Sequence, residues 1–454
     1  MRSIIAIFTL LFGIGLMLAG NGLIGTLLGV RGGIEGFSTS VLGMIMAGYF
    51  SGFVAGTFIV PRLIRGAGYV RTFAALASIC SVTVLLHGLY PDPLIWFIAR
   101  AAAGVCIVGI YIIIESWLNE QTTNEQRGHI FSAYMTTTFV GLGIGQLLLQ
   151  TGDVNTLQLF ALGSVLMSVG LVPVAFTRVQ EPPLVEAHRL GLRRLYEASP
   201  LGVVGALFSG VGTGAFWGLA PVMAAGIGLD PAGISGFMAL SIFGGALVMW
   251  PIGSLSDRLD RRKVLAWVCL MTGFAALGAL WLINWDARLI LLAGFLYGAT
   301  GFSMYSLSAA HTNDHIGTEH MLEATSSLQL LYGSGAIIGP LSAGFLMQWL
   351  GPPVLLAFIG VAALVPAGFA RWRMWVRPPV PLDDQSGWVP QFATSPAALE
   401  MHPEQEVESE TAEEDIEAGP RDDAISGLVP SDVDAKADYR QHQETKASKR
   451  GQDN

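Results

Sequence analysis

The stretch "RAAAGVCIVGIYIIIESWLNE", residues 100–120, sets Arg100 and Glu115 in a segment that is otherwise almost wholly apolar. On a helix, fifteen positions correspond to about 22 Å of rise and roughly 60° of turn, so the two charges share a face near opposite ends. A charged side chain inside a membrane snorkels to the headgroups, pairs with an opposite charge, or faces a water-filled cavity. Arg100 lies deep enough that the cavity is the expectation. Glu115 lies close to the membrane surface and suits a contact that can make and break. With Arg100, Glu115 and His87 the only such groups in the spans, the cluster of acids, bases or metal ligands that catalysis needs is not expected, and neither is an enzyme.

Elements that carry charges through lipid must be long apolar helices. A hydrocarbon core of about 30 Å takes roughly 20 residues per helical crossing. Twelve apolar runs of that order follow one another, from 4–30 to 353–371, in a chain that is 52% hydrophobic and 13% charged with 56 glycines. The expected fold class is an all-α membrane protein with twelve transmembrane helices. Up to Arg377, sixteen Lys and Arg fall on the side of the N-terminus, among them Arg62, Arg65, Arg71, Arg193, Arg194, Arg258, Arg261, Arg262 and Lys263, while Arg31 and Arg288 fall on the other. The positive-inside rule then puts both termini in the cytoplasm. The net charge of −9 is concentrated at one end: residues 381–454 hold 6 basic and 18 acidic groups. That tail, with "EQEVESETAEEDIEAGPRDD" in it, has the composition of a solvated, disordered segment. Cys80, Cys106 and Cys269 all sit in apolar runs and imply neither a disulfide nor a metal site.

The chain also repeats itself. "TRVQEPPLVEAHRLGLRRLYEASP", residues 177–200, separates two groups of six spans, and the basic loop after the second span ("PRLIRGAGYVR", from Pro61) is echoed after the eighth ("DRLDRRKVL", from Asp257). "GIGQLLL" in the fifth span is likewise echoed by "IIGPLSA" in the eleventh. A parallel duplication of six-helix units fixes the architecture: 1–178 and 200–375 are expected as N- and C-terminal bundles, 179–199 as a cytoplasmic central loop and 376–454 as the tail. This arrangement resembles the major facilitator superfamily, MFS for short. "GSLSDRLDRRK" from Gly253 is similar to that family's Gly-x-x-x-Asp-Arg-x-Gly-Arg-Arg signature, with Asp260 in place of the second glycine; in the first-half copy Pro61 stands at the aspartate position. "TLLGVRGGIEGFST", "ESWLNE" and "YGSGAIIGP" resemble the YcaD-type bacterial permeases within it.

The resemblance implies a secondary transporter of the bacterial inner membrane that moves a small solute by alternating access, a monomer in the lipid bilayer with no cofactor and no nucleic-acid partner. Arg-x-x-x-Gly at 100–104 resembles the fourth-helix signature of proton-coupled exporters, which makes protons one candidate co-substrate, with a sodium-coupled or an uncoupled mechanism as the alternatives. A site near the midplane between the halves would draw on Arg100, Asn21, Trp217, Tyr111, Tyr305, Gln146, Tyr49, Gln329 and Tyr332. Asn21 and Trp217 stand out because each lies in a glycine-broken stretch, "GNGLIG" and "GVGTGAFWGLAP", in the two halves. Relatives pair an acid at the end of the fourth helix with the basic loop, which suggests a gate of Glu115 with Arg62 or Arg65, and of Asp257 with Arg258 and Arg261. His311, His315 and His320, with Asp314 and Glu319, are read as a solvated loop and not a metal site. A second reading keeps the fold but not the transport: a membrane sensor or scaffold that signals through its acidic tail.

Overall fold

The computed structural model describes residues 2–122, 126–176, 182, 189–382 and 385–388; part of the central connection and most of the acidic tail lie outside them. Among the described residues the regular elements are all helical. The first half holds α1 (Arg2–Ile34), α2 (Thr39–Ala67), α3 (Tyr69–Leu89), α4 (Pro93–Glu120), α5 (Arg127–Leu148) and α6 (Gln158–Phe176). After a short helix, Leu192–Ala198, the second half holds α7 (Pro200–Gly226), α8 (Pro231–Arg258), α9 (Arg261–Leu282), α10 in two pieces (Ile290–Gly301 and Ser303–Asn313), α11 (Met321–Leu350) and α12 (Val354–Val376). Eleven of these twelve are long and apolar enough to cross a membrane. The exception is α5, whose length suffices but whose Thr136, Thr137, Thr138 and several glycines dilute its hydropathy. It tolerates them because it crosses α1 and α8 instead of lying only against lipid.

Short polar residues start the helices. Asp92 accepts from the Leu94 and Ile95 amides at 2.9 and 3.0 Å, and Asp230 accepts from Gly233 at 2.8 Å; proline follows each, where its missing N–H is harmless. The reversal from α2 to α3 takes a single residue, Gly68, at φ 82°, a backbone conformation that glycine adopts without strain.

The packing is duplicated. Glycines bring backbones into contact where any Cβ would strike a carbonyl: Gly145 of α5 on Ala19 of α1, and Gly52 of α2 on Ala101 of α4. The same crossings recur as Gly339 on Val211 and Gly244 on Phe295, roughly 190 positions on, as a duplicated unit requires. Small residues at crossings are how helices associate in lipid, where apolar burial offers little advantage.

The two halves meet at the helix ends remote from the basic loops. Gly29 lies against Pro221 and Val222, Thr39 Oγ1 donates to the Gly344 carbonyl at 3.1 Å, and Ser235 Oγ donates to the Gln146 carbonyl at 2.6 Å. On the basic face the last residues of the central connection join the halves instead. Arg189 lies 3.7 Å over the Phe58 ring of α2, while Leu190 donates to the Glu323 carbonyl and accepts from Ser327 Oγ, both in α11.

Candidate functional site

The position of Arg100 follows from a helix crossing. Gly104 lies against the Tyr49 backbone, so closely that a Cβ there would meet the carbonyl oxygen. Arg100 stands four residues, about one turn, before Gly104 on the same face. Its guanidinium therefore lies over the Tyr49 ring, with Cζ 4.3 Å from the ring centroid. The Arg-x-x-x-Gly spacing thus has a geometric reason: the glycine brings α2 and α4 together and the arginine caps the tyrosine beside the contact. Asn21 of α1 lies beside the Tyr49 hydroxyl, and Cys80 and His87 of α3 lie within electrostatic reach of Arg100. Arg100 is only 7% exposed, its Nε has no hydrogen-bond partner, and among the described residues it makes no salt bridge. Tyr111, buried one face along, interacts with both Tyr49 and Glu115 and so stands between the two charges.

The second half closes on this cluster with its own tyrosines. Gly210 of α7 packs on the Tyr332 backbone of α11, and the Tyr332 ring meets Tyr305 edge-on at 5.0 Å. Thr213 lies beside the hydroxyls of both Tyr297 and Tyr332, and Tyr332 is within electrostatic reach of Tyr49 across the interface between the halves. Gln329, three residues before Tyr332, is 6% exposed, and its Nε2 has no hydrogen-bond partner.

Six of the residues singled out by sequence therefore converge from both halves: Asn21, Tyr49, Arg100, Tyr111, Tyr305 and Tyr332, with Gln329 a turn away. Two others have different surroundings. Gln146 has both ends of its amide engaged by α1: Thr26 Oγ1 donates to Oε1, and Nε2 donates to the Gly22 carbonyl at 3.0 Å. Trp217 stacks on Phe302 with ring planes 8° apart and centroids at 5.7 Å, and meets Phe216 edge-on. Nor is Trp217 the counterpart of Asn21. Asn21 follows the Ala19 crossing by two residues, and the residue that follows the matching Val211 crossing by two is Thr213. Thr213 and Tyr297 were not anticipated, since a threonine and a tyrosine in helical runs carry no signal until the crossings are known.

The gate residues divide similarly. Glu115 is 0% exposed and accepts from the Tyr134 hydroxyl at 2.6 Å, which ties α4 to α5. Arg62 is exposed and donates to the Phe58 carbonyl at 3.2 Å instead of reaching Glu115. Arg65 lies in the last turn of α2. In the second half, Arg261 is 1% exposed and binds two carboxylates, Asp314 at 2.7 Å and Asp257 at 2.8 Å. It also donates to the Ser386 carbonyl at 2.6 Å, and Ser386 in turn donates to Asp314 from its amide and its hydroxyl. Trp388 donates its amide to Asp257 at 2.9 Å and lays its ring on Gly253. Arg258 is exposed. The loop expected to be solvated around His311 is instead part of this knot: His311 is buried in α10 against His315, and the Asp314 side chain is 1% exposed. Burial pushes the Asp314 carboxyl above its ordinary value, against the opposing pull of Arg261 and Ser386. Asp314, Ser386 and Trp388 were not legible because their partners lie in remote parts of the chain.

The arrangement offers a guanidinium, phenols and amides between two repeated bundles. The Major Facilitator Superfamily model matches residues 202–402. The chain is similar to the uncharacterized MFS-type transporter YcaD of Escherichia fergusonii, 27% identical over 333 residues that cover 73% of this chain and 86% of that one. Among solved structures it resembles the nucleoside transporter NupG (TM-score 0.62, 12% identity, covering 83% of this chain and 98% of that one). It also resembles a D-xylose–proton symporter (TM-score 0.59, 15% identity, covering 81% and 96%). Helices, duplication and signature loop are similar to those of the Major Facilitator Superfamily, whose model matches the second half of the chain and to which the bacterial relatives are assigned by name.

Proposed function

We propose that the solute passes between the halves at the cluster of Asn21, Tyr49, Arg100 and Tyr111 on one side and Tyr305, Gln329 and Tyr332 on the other. The observation that carries this reading is the convergence of polar side chains from both bundles around one unpaired guanidinium. Intramembrane charges of that kind mark transport paths, and a site at the interface of two repeats can be exposed to either face by rocking one against the other. The bacterial relatives and the basic loops support a bacterial inner-membrane location with both termini in the cytoplasm, as a monomer in the bilayer. In that orientation the contacts through Gly29, Thr39 and Ser235 close the periplasmic side.

Transport is coupled to protons in this proposal, and one solved neighbour is by name a proton symporter. Glu115 is the buried carboxylate on the same helix face as Arg100, and Tyr111 between them lies within electrostatic reach of Glu115 and of Tyr49. The test is flux into proteoliposomes with and without a pH gradient. Solute entry that accelerates with the gradient, and loses that acceleration in Glu115→Gln while downhill exchange continues, is the expected result. Equal entry with and without the gradient defeats the coupling; no entry under any condition defeats transport through this site.

A further inference from the structure

The cluster is electrically one-sided. A guanidinium is by its ordinary pKa a cation, and that of Arg100 carries five donors and no acceptor. It sits 7% exposed with no salt bridge and no hydrogen bond among the described residues; its sole compensation is the Tyr49 ring beneath it. The ionisable groups around it are Tyr49, Cys80 and His87, none of which bears a negative charge near neutral pH by its ordinary pKa. Glu115 lies about 22 Å along the helix, in contact with Tyr134. Facing residues add neutral groups: Thr213 and the phenols of Tyr305 and Tyr332, and the unpartnered donor Gln329 Nε2.

A buried cation left uncompensated is costly, and one with a well-placed counter-charge is less so. A cationic solute would meet like charge here, and a neutral one would accept hydrogen bonds from the guanidinium but leave its charge unbalanced. We propose that the transported solute is an anion, a small organic acid with one carboxylate, which Arg100 holds through the two-pronged contact that guanidinium and carboxylate planes make. One fixed positive charge balances one carboxylate; a phosphate dianion would leave the site with a net negative charge and no second cation to meet it. The tyrosine rings suit an apolar or aromatic body behind the acid group, with Gln329 left to bind an oxygen on it. This assignment rests on the pathway reading above and deepens it.

The test separates the two. In the full-length purified protein, a cysteine at position 332 (Tyr332→Cys) is labelled with sulfonatoethyl methanethiosulfonate, an anion, and with trimethylammonioethyl methanethiosulfonate, a cation. Each rate is measured over the wild type's own three cysteines and normalised to the reagent's rate with 2-mercaptoethanol. Gln329→Cys serves as the second position should the first variant fold poorly. The expected result is a preference of about tenfold for the anionic reagent, from focusing of the cavity's charge, which disappears when Arg100→Gln is added. If neither reagent reacts at either position, the cluster is no water-filled path and the pathway reading falls. If both react without preference, only the anion assignment falls. In parallel, benzoate and lactate are expected to raise the Tm of the wild type and the Arg100→Lys variant but not of Arg100→Gln, while benzamide and lactamide leave all three unmoved. Amides that stabilise as well as the acids, acids that stabilise Arg100→Gln equally, or acids that stabilise nothing each overturn the proposal.

Discussion

Asp260 stands where the family signature has its second glycine, and its carboxylate performs two tasks at once. It caps α9 by accepting from the Arg262 amide at 3.1 Å, and it pairs with the Arg262 guanidinium at 2.9 Å; Arg262 then reaches the Arg377 carbonyl at the end of α12. Burial alone would raise the Asp260 carboxyl, but the Arg262 hydrogen bonds and charge, with Lys263 adding to them, hold it below its ordinary 3.8. A carboxylate depressed in the folded state stabilises at pH values above its unfolded pKa, and that stabilisation is lost as pH falls through the folded value. Wild-type protein should therefore lose thermal stability more steeply than Asp260→Asn on acidification from 3.8 downward. Near neutral pH the variant is the less stable of the two because the ion pair is gone, and the gap narrows on acidification. Parallel stability curves for the two proteins across this window would show that the carboxylate is not the titrating group.

At the scale of elements, the crossings decide where side chains go. Gly104 is buried against the backbone of Tyr49, whereas Gly278 in α9 has open space where a Cβ would point. Gly104→Ala is expected to cost about 1–3 kcal/mol through overpacking and to shift Arg100 off the Tyr49 ring. Gly278→Ala should be neutral or slightly stabilising, because alanine restricts the unfolded chain and favours the helix. Thermal unfolding of the two variants in the same detergent is the measurement, and equal losses would mean that the α2–α4 contact is not tight.

The same scale explains what could be read in advance. The number of spans was legible, since lipid thickness fixes the length of an apolar run; so was the duplication, since the basic loops repeat. Arg100, Tyr49 and Tyr332 were legible as candidates because a polar group in an apolar run is conspicuous. Their mutual contact was not, for it depends on which glycines meet which carbonyls. Gln146 makes the point from the other side: an amide in a span reads identically whether it faces a solute or, as here, binds Thr26 and Gly22 of α1. The arginine-centred knot of Arg261, Asp314 and Ser386 joins three segments far apart in sequence, and only the signature aspartate, Asp257, hinted at it.

At the scale of the whole molecule, the halves are held at one face by direct helix contacts. Thr39 of α2 donates to the Gly344 carbonyl of α11 at 3.1 Å and lies 3.4 Å from the Gln348 side chain one turn further on. Gly43 packs on Pro340 between the same two helices, and at the other pair Gln150, just beyond α5, donates to Ser235 of α8 at 3.0 Å. A carrier that works by rocking must break these contacts once per cycle, since one site cannot be offered to both faces by a rigid body. Joining Thr39→Cys to Gln348→Cys by oxidation should fix this closed face. Flux in proteoliposomes is then expected to fall to the level of empty vesicles, to return after reduction with dithiothreitol, and to be insensitive to oxidation in either single variant. The native cysteines are buried and unpaired, so the engineered pair is the one that responds. Undiminished flux with the cross-link formed would mean that the two bundles do not separate along α2 and α11 during transport, and that the solute takes a path other than the one between them.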